Sequence, residues 1–540
     1  MKHIVTHAIV PRFAAVAVAL FSTVSGLHAA SDDRPNILWI IVEDASCHLG
    51  PYGETVIKTP NLDALADQGV TFTAASVTAP VCSASRSAMI TGMNQATLGV
   101  HNHRSQMDSG KGMGSPAYHD SYHLPIKMIP ELFKQAGYHT AQNSGVKHEG
   151  KRGKTDYNFI WNRFEYDSAH WLDCPNGKPF FAVLQLKGGK SRKNDSAKVD
   201  PDSVTLPPYY PEHPVFKKDW ADYLGSWLQV DREVGAAMQQ LEDAGRLNNT
   251  AVFFMTDHGV SQLRGKQYVY EEGTQVPLIM RLPKGRFAGS TRNDLVNQID
   301  VSATSLGLAG ISIPSHIQGR DFLAKDYVRR KAVFSARDRC DETVNLAGDA
   351  QYKQTLLTLR TQLYDQMVSS RDLGLIPEPI LEDLGKRYGN KFHILTQPEN
   401  KTLVRDLINI IEAGEKQDVT RLLKGLKDED PSICYWAATW LGNRKMADAG
   451  NALLMTTGHS DPTVRVAAAL ALSRLGRPDD GAAVILKTIE DDNWLAGLYA
   501  IRALEWSGNR TPAAQAAVIR ALDSPYEFTR RIAKRLSTQF

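Results

Sequence analysis

Cys82 lies in the run TAPVCSASRSAMITG, where a small-residue approach gives way to what reads as the start of a helix. Cysteine is a candidate nucleophile, and its surroundings decide whether it serves as one. The chain has five cysteines, at 47, 82, 174, 340 and 434. That count is odd and includes no C-x-x-C pair, so neither a disulfide framework nor a zinc site is indicated. Cys82 is set apart by its company. One apolar run upstream ends in Glu43-Asp44, and another downstream ends in Asp257-His258-Gly259. Three carboxylates offer hard oxygen ligands, which suits Ca²⁺ or Mg²⁺. Such an ion stabilises charge that develops on oxygens during group transfer.

These residues need a scaffold that brings distant segments together. Asn36 to Val42 (NILWIIV) is a continuous apolar run, as expected of a strand buried on both faces of a parallel sheet. Thr59 is a candidate N-cap for a helix that begins at Pro60. Pro130 to Ala136 has helical character, Gly137-Tyr138 breaks it, and His139 to Gln142 follows as a strand. Pro179 to Leu184 and Ala251 to Met255 are further strands, and Asp222 to Leu241 is a long amphipathic helix. Strands alternating with helices predict an α/β fold with a mostly parallel central sheet sandwiched by helices. Ligands in such sheets bind beyond the strand C-terminal ends, where Asp44 and Asp257 fall.

The C-terminal part follows another rule. Asp430-Pro431, Asp461-Pro462, Asp492 and Asp523 recur every 31 residues, each ahead of an Ala/Leu-rich block: WAATWLG, VRVAAALALSRLG, LYAIRALEWSG and TRRIAKRL. A period near 30 with two helices per unit predicts an all-α solenoid, and it resembles short HEAT repeats. Aspartate at each repeat start serves as an N-cap.

The 540 residues allow two to four domains, and a composition of 42% hydrophobic and 22% charged residues is that of a globular protein. A net charge of +3 leaves no nucleic-acid footprint. Basic residues gather locally in Lys187–Lys198 (KGGKSRKNDSAK), a solvated loop that could attract an anionic polymer if it borders a cleft. Lys2 and Arg12, the apolar run Phe13 to Val24 and the small residues up to Ala30 read as a secretory signal peptide over 1–30, so export to a periplasm or the exterior is expected. That run is short for a membrane span, and no other long apolar run follows.

Five blocks, PNILWIIVEDAS, TPNLDALADQGVTFTAASV, CSASRSAMITG, TAVFFMTDHG and GKQYVYEEGTQVPLIMR, stand in an order that resembles the type I sulfatases of the alkaline phosphatase superfamily, over about Arg34 to Phe322. The resemblance implies a catalytic domain over 31–330, a shortened C-terminal subdomain and linker over 331–395, and HEAT-like repeats over 396–540. It implies that Cys82, in a C-x-P/A-x-R motif, is oxidised by a maturase to formylglycine. The hydrated aldehyde then offers one hydroxyl to attack sulfur and a second whose deprotonation expels sulfate. It implies a Ca²⁺ (or Mg²⁺) site of Glu43, Asp44, residue 82, Asp257 and His258, where Glu43 replaces the commoner Asp and His258 could instead bond sulfate. Arg86 is implied to hold the nucleophile side, and Lys266 of GKQYVYEEG to contact sulfate and the leaving oxygen.

A further family lysine–histidine element has two candidates here. Gly145–Gly150 (GVKHEG) offers Lys147 and His148 with the lysine shifted by one; Gly153–Asn158 (GKTDYN) offers Lys154, which matches helical-tailed carbohydrate sulfatases and is preferred. After FFAVLQL, relatives carry a leaving-group histidine, whereas this chain reads Lys187-Gly188-Gly189-Lys190, so Lys190 is the candidate cation there. ARDRCDE at 336–342 resembles a segment of heparan-type sulfatases and runs directly into Asn345-Leu346-Ala347, with the small C-terminal sheet of relatives mostly missing. The expected substrate is a sulfated carbohydrate such as a glycosaminoglycan-derived sugar, with no partner assigned to the solenoid. Two rivals stand beside it: a phosphonate or phosphodiester hydrolase of the same superfamily, and a catalytically degenerate protein that binds glycan or protein through the solenoid.

Overall fold

The computed structural model of the chain describes residues 34–103, 123–192, 199–261, 263–335, 353–491 and 493–540. The leader expected over 1–30, the segment 336–342, Asp492 and the 193–198 part of the basic run lie outside the described residues.

Among the described residues nine strands are formed: β1 Asn36–Val42, β2 Val70–Phe72, β3 Ala75–Ser76, β4 His139–Ser144, β5 Phe180–Leu186, β6 Thr250–Thr256, β7 Leu278–Arg281, β8 Ser290–Arg292 and β9 Val296–Asn297. Seven make one sheet in the order β4-β5-β1-β6-β7-β2-β8, while β3 pairs with β9 alone. The β4-β5-β1-β6 half is parallel. Strand β7 runs antiparallel to both β6 and β2, and β8 is parallel to β2.

The apolar continuity of β1 has a direct structural reason. Ile37, Trp39 and Ile41 face one core with Phe253 and Met255 of β6; Leu38, Ile40 and Val42 face the other with Val252 and Phe254. Helices α1 Pro60–Asp67, α2 Cys82–Thr91, α3 Ile129–Gln135, α4 Pro214–Asp243 and α5 Gln298–Leu308 cover these faces. Met89 and Ile90 of α2, Phe133 of α3 and Val301 of α5 fill the first core. Leu62 of α1 and Leu224, Trp227 and Val234 of α4 fill the second. Period-2 alternation inside a wholly apolar strand thus builds two layers of core, as burial on both faces requires.

Helix α4 begins eight residues before the expected Asp222. His213 caps it by accepting from Val215 N at 3.2 Å, and Pro214 takes the first turn, where it needs no donor. Thr59 precedes α1 but does not cap it with its side chain. Its Oγ1 instead accepts from Gly50 N at 3.0 Å and donates to Asp63 Oδ1 at 3.1 Å, which ties the preceding turn to the helix.

Beyond Asn297 the described residues form no strand, and helices carry the chain to its end. The repeats pack pairwise, with Pro431–Asn443, Pro462–Arg474 and Trp494–Ser507 in one row and Gly450–Thr456, Pro478–Ile489 and Pro512–Ala521 in the other. Bonds join one repeat to the next: Arg520 to Glu490 at 2.6 Å and Arg535 to Glu505 at 2.7 Å, each across 30 residues. Asp430 caps its helix through Ser432 N at 2.8 Å, and Asp461 accepts from Thr463 N at 2.7 Å and Val464 N at 3.3 Å. In the third repeat Asn493 is the cap. The expectation for Asp523 is corrected: the last helix starts after Tyr526, because the Asp523 N–H closes the previous helix on Arg520 O. Asp461→Ala should therefore lower stability by about 1 kcal/mol, as loss of an N-cap does, while Asp523→Ala leaves the urea midpoint unchanged.

Candidate functional site

Strands β1 and β6 are parallel neighbours in register, with Val42 opposite Thr256. The residues that follow each strand, Glu43-Asp44 and Asp257-His258, therefore emerge side by side at the C-terminal edge. Backbone bonds continue the pairing past the strands: Asp257 N to Val42 O at 2.9 Å and Ala45 N to His258 O at 3.2 Å. Asp44 sits at φ 54°, in the left-handed region, and its N–H is held by Asp257 Oδ1 at 3.1 Å. Aspartate tolerates that conformation better than most residues, yet a strained residue costs on the order of 1–3 kcal/mol and clusters at functional sites.

Cys82 is the first residue of α2, all ten residues of which are buried. Its Sγ lies 3.2 Å from His258 Nε2, 3.1 Å from Lys266 Nζ and 3.8 Å from Asp44 Oδ1. Ligand atoms of Asp44, Cys82, Asp257 and His258 all lie within 4.8 Å of one another. Two carboxylates that converge in a buried site form a donor set that fits a hard divalent cation. Here the surrounding cations balance them. Lys266 Nζ reaches both Asp44 oxygens at 3.1 and 3.0 Å, and His258 Nε2 lies 3.2 Å from Asp44 Oδ1.

The electrostatics follow from this crowding of opposite charges. Burial alone would raise the carboxyl of Asp44, but His258 and Lys266 hold it well below the usual carboxylate range. Burial likewise opposes Asp257, and His258 and Arg86 overcome it. His258 is pushed down by burial yet raised to about 10 by Asp257, Cys82 and Asp44. Burial pushes the Cys82 thiol up and Asp257 adds to that, but His258 and Lys154 together bring it below its ordinary value.

Arg86, one turn along α2 from Cys82, grips Asp257 Oδ2 through Nε at 3.0 Å and Nη2 at 2.9 Å, and its third nitrogen donates to Gln185 on β5. It positions a carboxylate of the cluster rather than touching residue 82. The single hydroxyl proton of Ser85 is shared between the Asp257 carbonyl and Gln298 Oε1, and Gln298 Nε2 donates to Thr256 O at 3.0 Å. These bonds fix the loop after β6.

Glu43 takes a separate position. Its Oε2 accepts from Lys154 at 3.1 Å and from Lys190 at 2.6 Å, so this carboxylate gathers two lysines and is not among the four converging ligands. Lys154 also pairs with Asp156 at 2.9 Å, and Asp156 itself adopts φ 59°. Lys190 can approach because Gly188 and Gly189 precede it: a Cβ on Gly189 would lie 2.1 Å from Asp44 O, and one on Gly188 2.2 Å from Val42 Cγ1. That close backbone passage admits glycine alone.

The two candidate lysine elements separate in space. Lys147 is exposed and pairs with Glu149 at 3.7 Å, and His148 bonds Asp173 at 2.7 Å. Lys147 and His148 both lie on the surface segment after β4, apart from the cluster that holds Lys154. With His258 raised to about 10 and so protonated at neutral pH, the five cations Arg86, Lys154, Lys190, His258 and Lys266 outnumber the four carboxylates Glu43, Asp44, Asp156 and Asp257, so the site attracts an anion. Sequence reasoning did not single out Asp156, Gln185, Ser85 or Gln298. The place of Gln185 as the polar residue near the end of the apolar run FFAVLQL was the one available signal.

No helix among the described residues is long and apolar enough to cross a membrane. A family model described as Sulfatase matches residues 35–311, and one described as HEAT repeats matches 419–487. An ulvan-active sulfatase of Formosa agariphila is 30% identical over 369 residues, which cover 59% of this chain and 60% of that protein. The N-sulphoglucosamine sulphohydrolase of Homo sapiens is 26% identical over 340 residues, covering 54% of this chain and 66% of the relative. The chain thus spans less than two thirds of the length of these relatives. A solved structure of a 2-O GAG sulfatase superposes with a TM-score of 0.47 at 18% identity, over 63% of this chain and 93% of the other.

Proposed function

Because the chain belongs to the sulfatase family, we propose that it hydrolyses sulfate esters or sulfamates on sulfated carbohydrates, with residue 82 matured from cysteine to formylglycine beside a Ca²⁺ or Mg²⁺ ion. The observation that carries this is the convergence of Cys82, Asp44, Asp257, His258 and Lys266 at the ends of two paired parallel strands. The names of the ulvan-active and N-sulphoglucosamine relatives support sulfated sugars as the substrate class.

The bound ion would supply charge neutralisation for the sulfuryl oxygens, with Asp44 and Asp257 as its carboxylate ligands and His258 beside them. Arg86 keeps Asp257 oriented throughout. Lys266, in contact with both Asp44 and position 82, binds the sulfate oxygens. Lys154, whose ammonium Glu43 and Asp156 hold, binds a further oxygen. Lys190 shares Glu43 with Lys154 and faces solvent more than its partner does. Its ammonium stabilises the departing sugar oxygen as the S–O bond breaks and gives that oxygen its proton. Residues 1–30 add export of the chain, and residue 82 adds a maturase as a biosynthetic partner.

The test is release of inorganic sulfate from sulfated oligosaccharides set beside turnover of an aryl phosphonate. Sulfate release supports the proposal; phosphonate turnover alone assigns the site to the phosphorus branch, and turnover of neither assigns it to a binding protein. Lys190→Ala gives a sharper expectation. Sugar alkoxides need a cation or acid as they leave, and nitrophenolate scarcely does. The substitution should slow sulfated-sugar hydrolysis more than nitrophenyl sulfate hydrolysis by a gap on the order of tenfold. Equal losses on both would move Lys190 to ground-state sulfate binding.

A further inference from the structure

A second cleft, of about 250 Å³, opens where the solenoid meets the sheet domain. One wall is the segment after α2, with His101 and Asn102; the other holds Tyr435 and Trp436 from the first repeat and Tyr499 from the third, and Asp372 and Glu378 lie between. The walls are fastened to each other. Leu373 N donates to Ala96 O at 3.1 Å, and Thr97 Oγ1 donates to Ser370 O at 2.7 Å. Trp436 Nε1 donates to Leu375 O at 2.7 Å, and Glu378 N donates to Tyr499 OH at 3.3 Å. The ring of Tyr435 stands 5.5 Å from Trp436 and 6.2 Å from Tyr499, edge to face in both pairs. The cleft is therefore built before any ligand arrives.

Its wall is also tied to the Cys82 cluster. Ser83, next to Cys82, bonds His103 Nδ1 at 2.6 Å, and His101 and Asn102 precede that histidine directly. Asn158, four residues after Lys154, donates from Nδ2 to Val100 O at 2.8 Å and from its backbone N–H to Ser87 Oγ at 2.9 Å. The two sites thus share one short segment, with Cα steps of roughly 3.8 Å per residue.

The lining chemistry differs sharply from that of the cluster. Aromatic faces receive the C–H face of a sugar ring, while an amide, an imidazole and carboxylates receive its hydroxyls. Among the described residues that line the cleft there is no lysine or arginine, and two carboxylates are present. A sulfated unit would be repelled there, whereas the five cations await one at the cluster. The volume falls just below the roughly 300–1,000 Å³ usual for small-molecule sites, which leaves room for about one ring.

We propose that this cleft binds an uncharged sugar unit of the same chain whose sulfated unit occupies the Cys82 cluster, so that the solenoid forms part of the substrate surface. This rests on the sulfated-carbohydrate function proposed above. Tyr499→Ala should raise KM for a singly sulfated oligosaccharide about tenfold, with kcat little changed. The kinetic constants for the matching sulfated monosaccharide should stay as in the wild type. Glu378→Gln, which keeps the side-chain shape, should raise the same KM and serves if Tyr499→Ala fails to fold by circular dichroism. Equal effects on both substrates, or none on either, overturn the proposal. If the wild-type chain releases sulfate from neither, the function fails on its own, and the cleft is tested by titration with the desulfated oligosaccharide. Saturable binding that Tyr499→Ala weakens upholds the cleft, and absence of binding to the wild type overturns it.

Discussion

Cys82→Ser, produced in a host whose maturase ignores serine, is expected to lose repeated turnover by at least about 1,000-fold. Serine carries one hydroxyl. It can accept a sulfuryl group by forming an O–S bond, but it has no second hydroxyl whose deprotonation would break the C–O bond to the sulfated oxygen and expel sulfate. The side chain at 82 is buried and close in size to serine, so the fold should be retained and circular dichroism unchanged. A serine variant that cycles repeatedly would contradict the role given to residue 82.

Asp257→Asn is expected to lower kcat/KM by about 100-fold or more and to raise the Ca²⁺ or Mg²⁺ concentration needed for half-maximal activity. The carboxylate binds the Asp44 N–H, faces His258 and pairs with Arg86, so its charge is used three times over. Asparagine keeps an acceptor for Arg86; Asp257→Ala would leave that buried guanidinium without its partner and also destabilise the chain by roughly 3–5 kcal/mol. Chelation with EDTA should abolish wild-type activity, and added Ca²⁺ or Mg²⁺ should restore it. Calorimetric titration of the metal-free protein gives a readout independent of turnover. Activity untouched by both chelation and Asp257→Asn, with no heat of binding, would refute the metal site.

The scaffold was legible where local chemistry and tertiary role coincide. An unbroken apolar run such as NILWIIV has one stable use in an α/β chain, and the acidic residues that end it must lie at the sheet's C-terminal edge. Asp430 and Asp461 act within two or three residues of themselves, so their capping role could be read directly. Asp523 shows the limit of periodicity, since a slightly longer closing turn displaces the last helix start to Glu527.

The site was legible only in part, because several of its bonds join segments far apart in sequence. Gln185 and Gln298 are unremarkable amides until β5 and α5 carry them to Arg86 and Ser85. Glu43 looked like a third metal ligand from its place beside Asp44. In the fold its carboxylate gathers Lys154 and Lys190, across 111 and 147 residues. Lys147 and Lys154 could not be separated by spacing, because both follow β4 closely. Only the path of the chain sends one to the surface and the other to Glu43.

The most direct measurement is the mass of the tryptic peptide Thr59–Arg86 from protein made alongside a formylglycine-generating maturase. Conversion of Cys82 exchanges one sulfur for one oxygen and removes two hydrogens, and the aldehyde forms a hydrazone with a hydrazine probe. The account predicts this lighter, probe-reactive peptide, with sulfate release from sulfated sugars in proportion to its fraction. An unmodified cysteine at 82 in protein that still turns over sulfated sugars would contradict it.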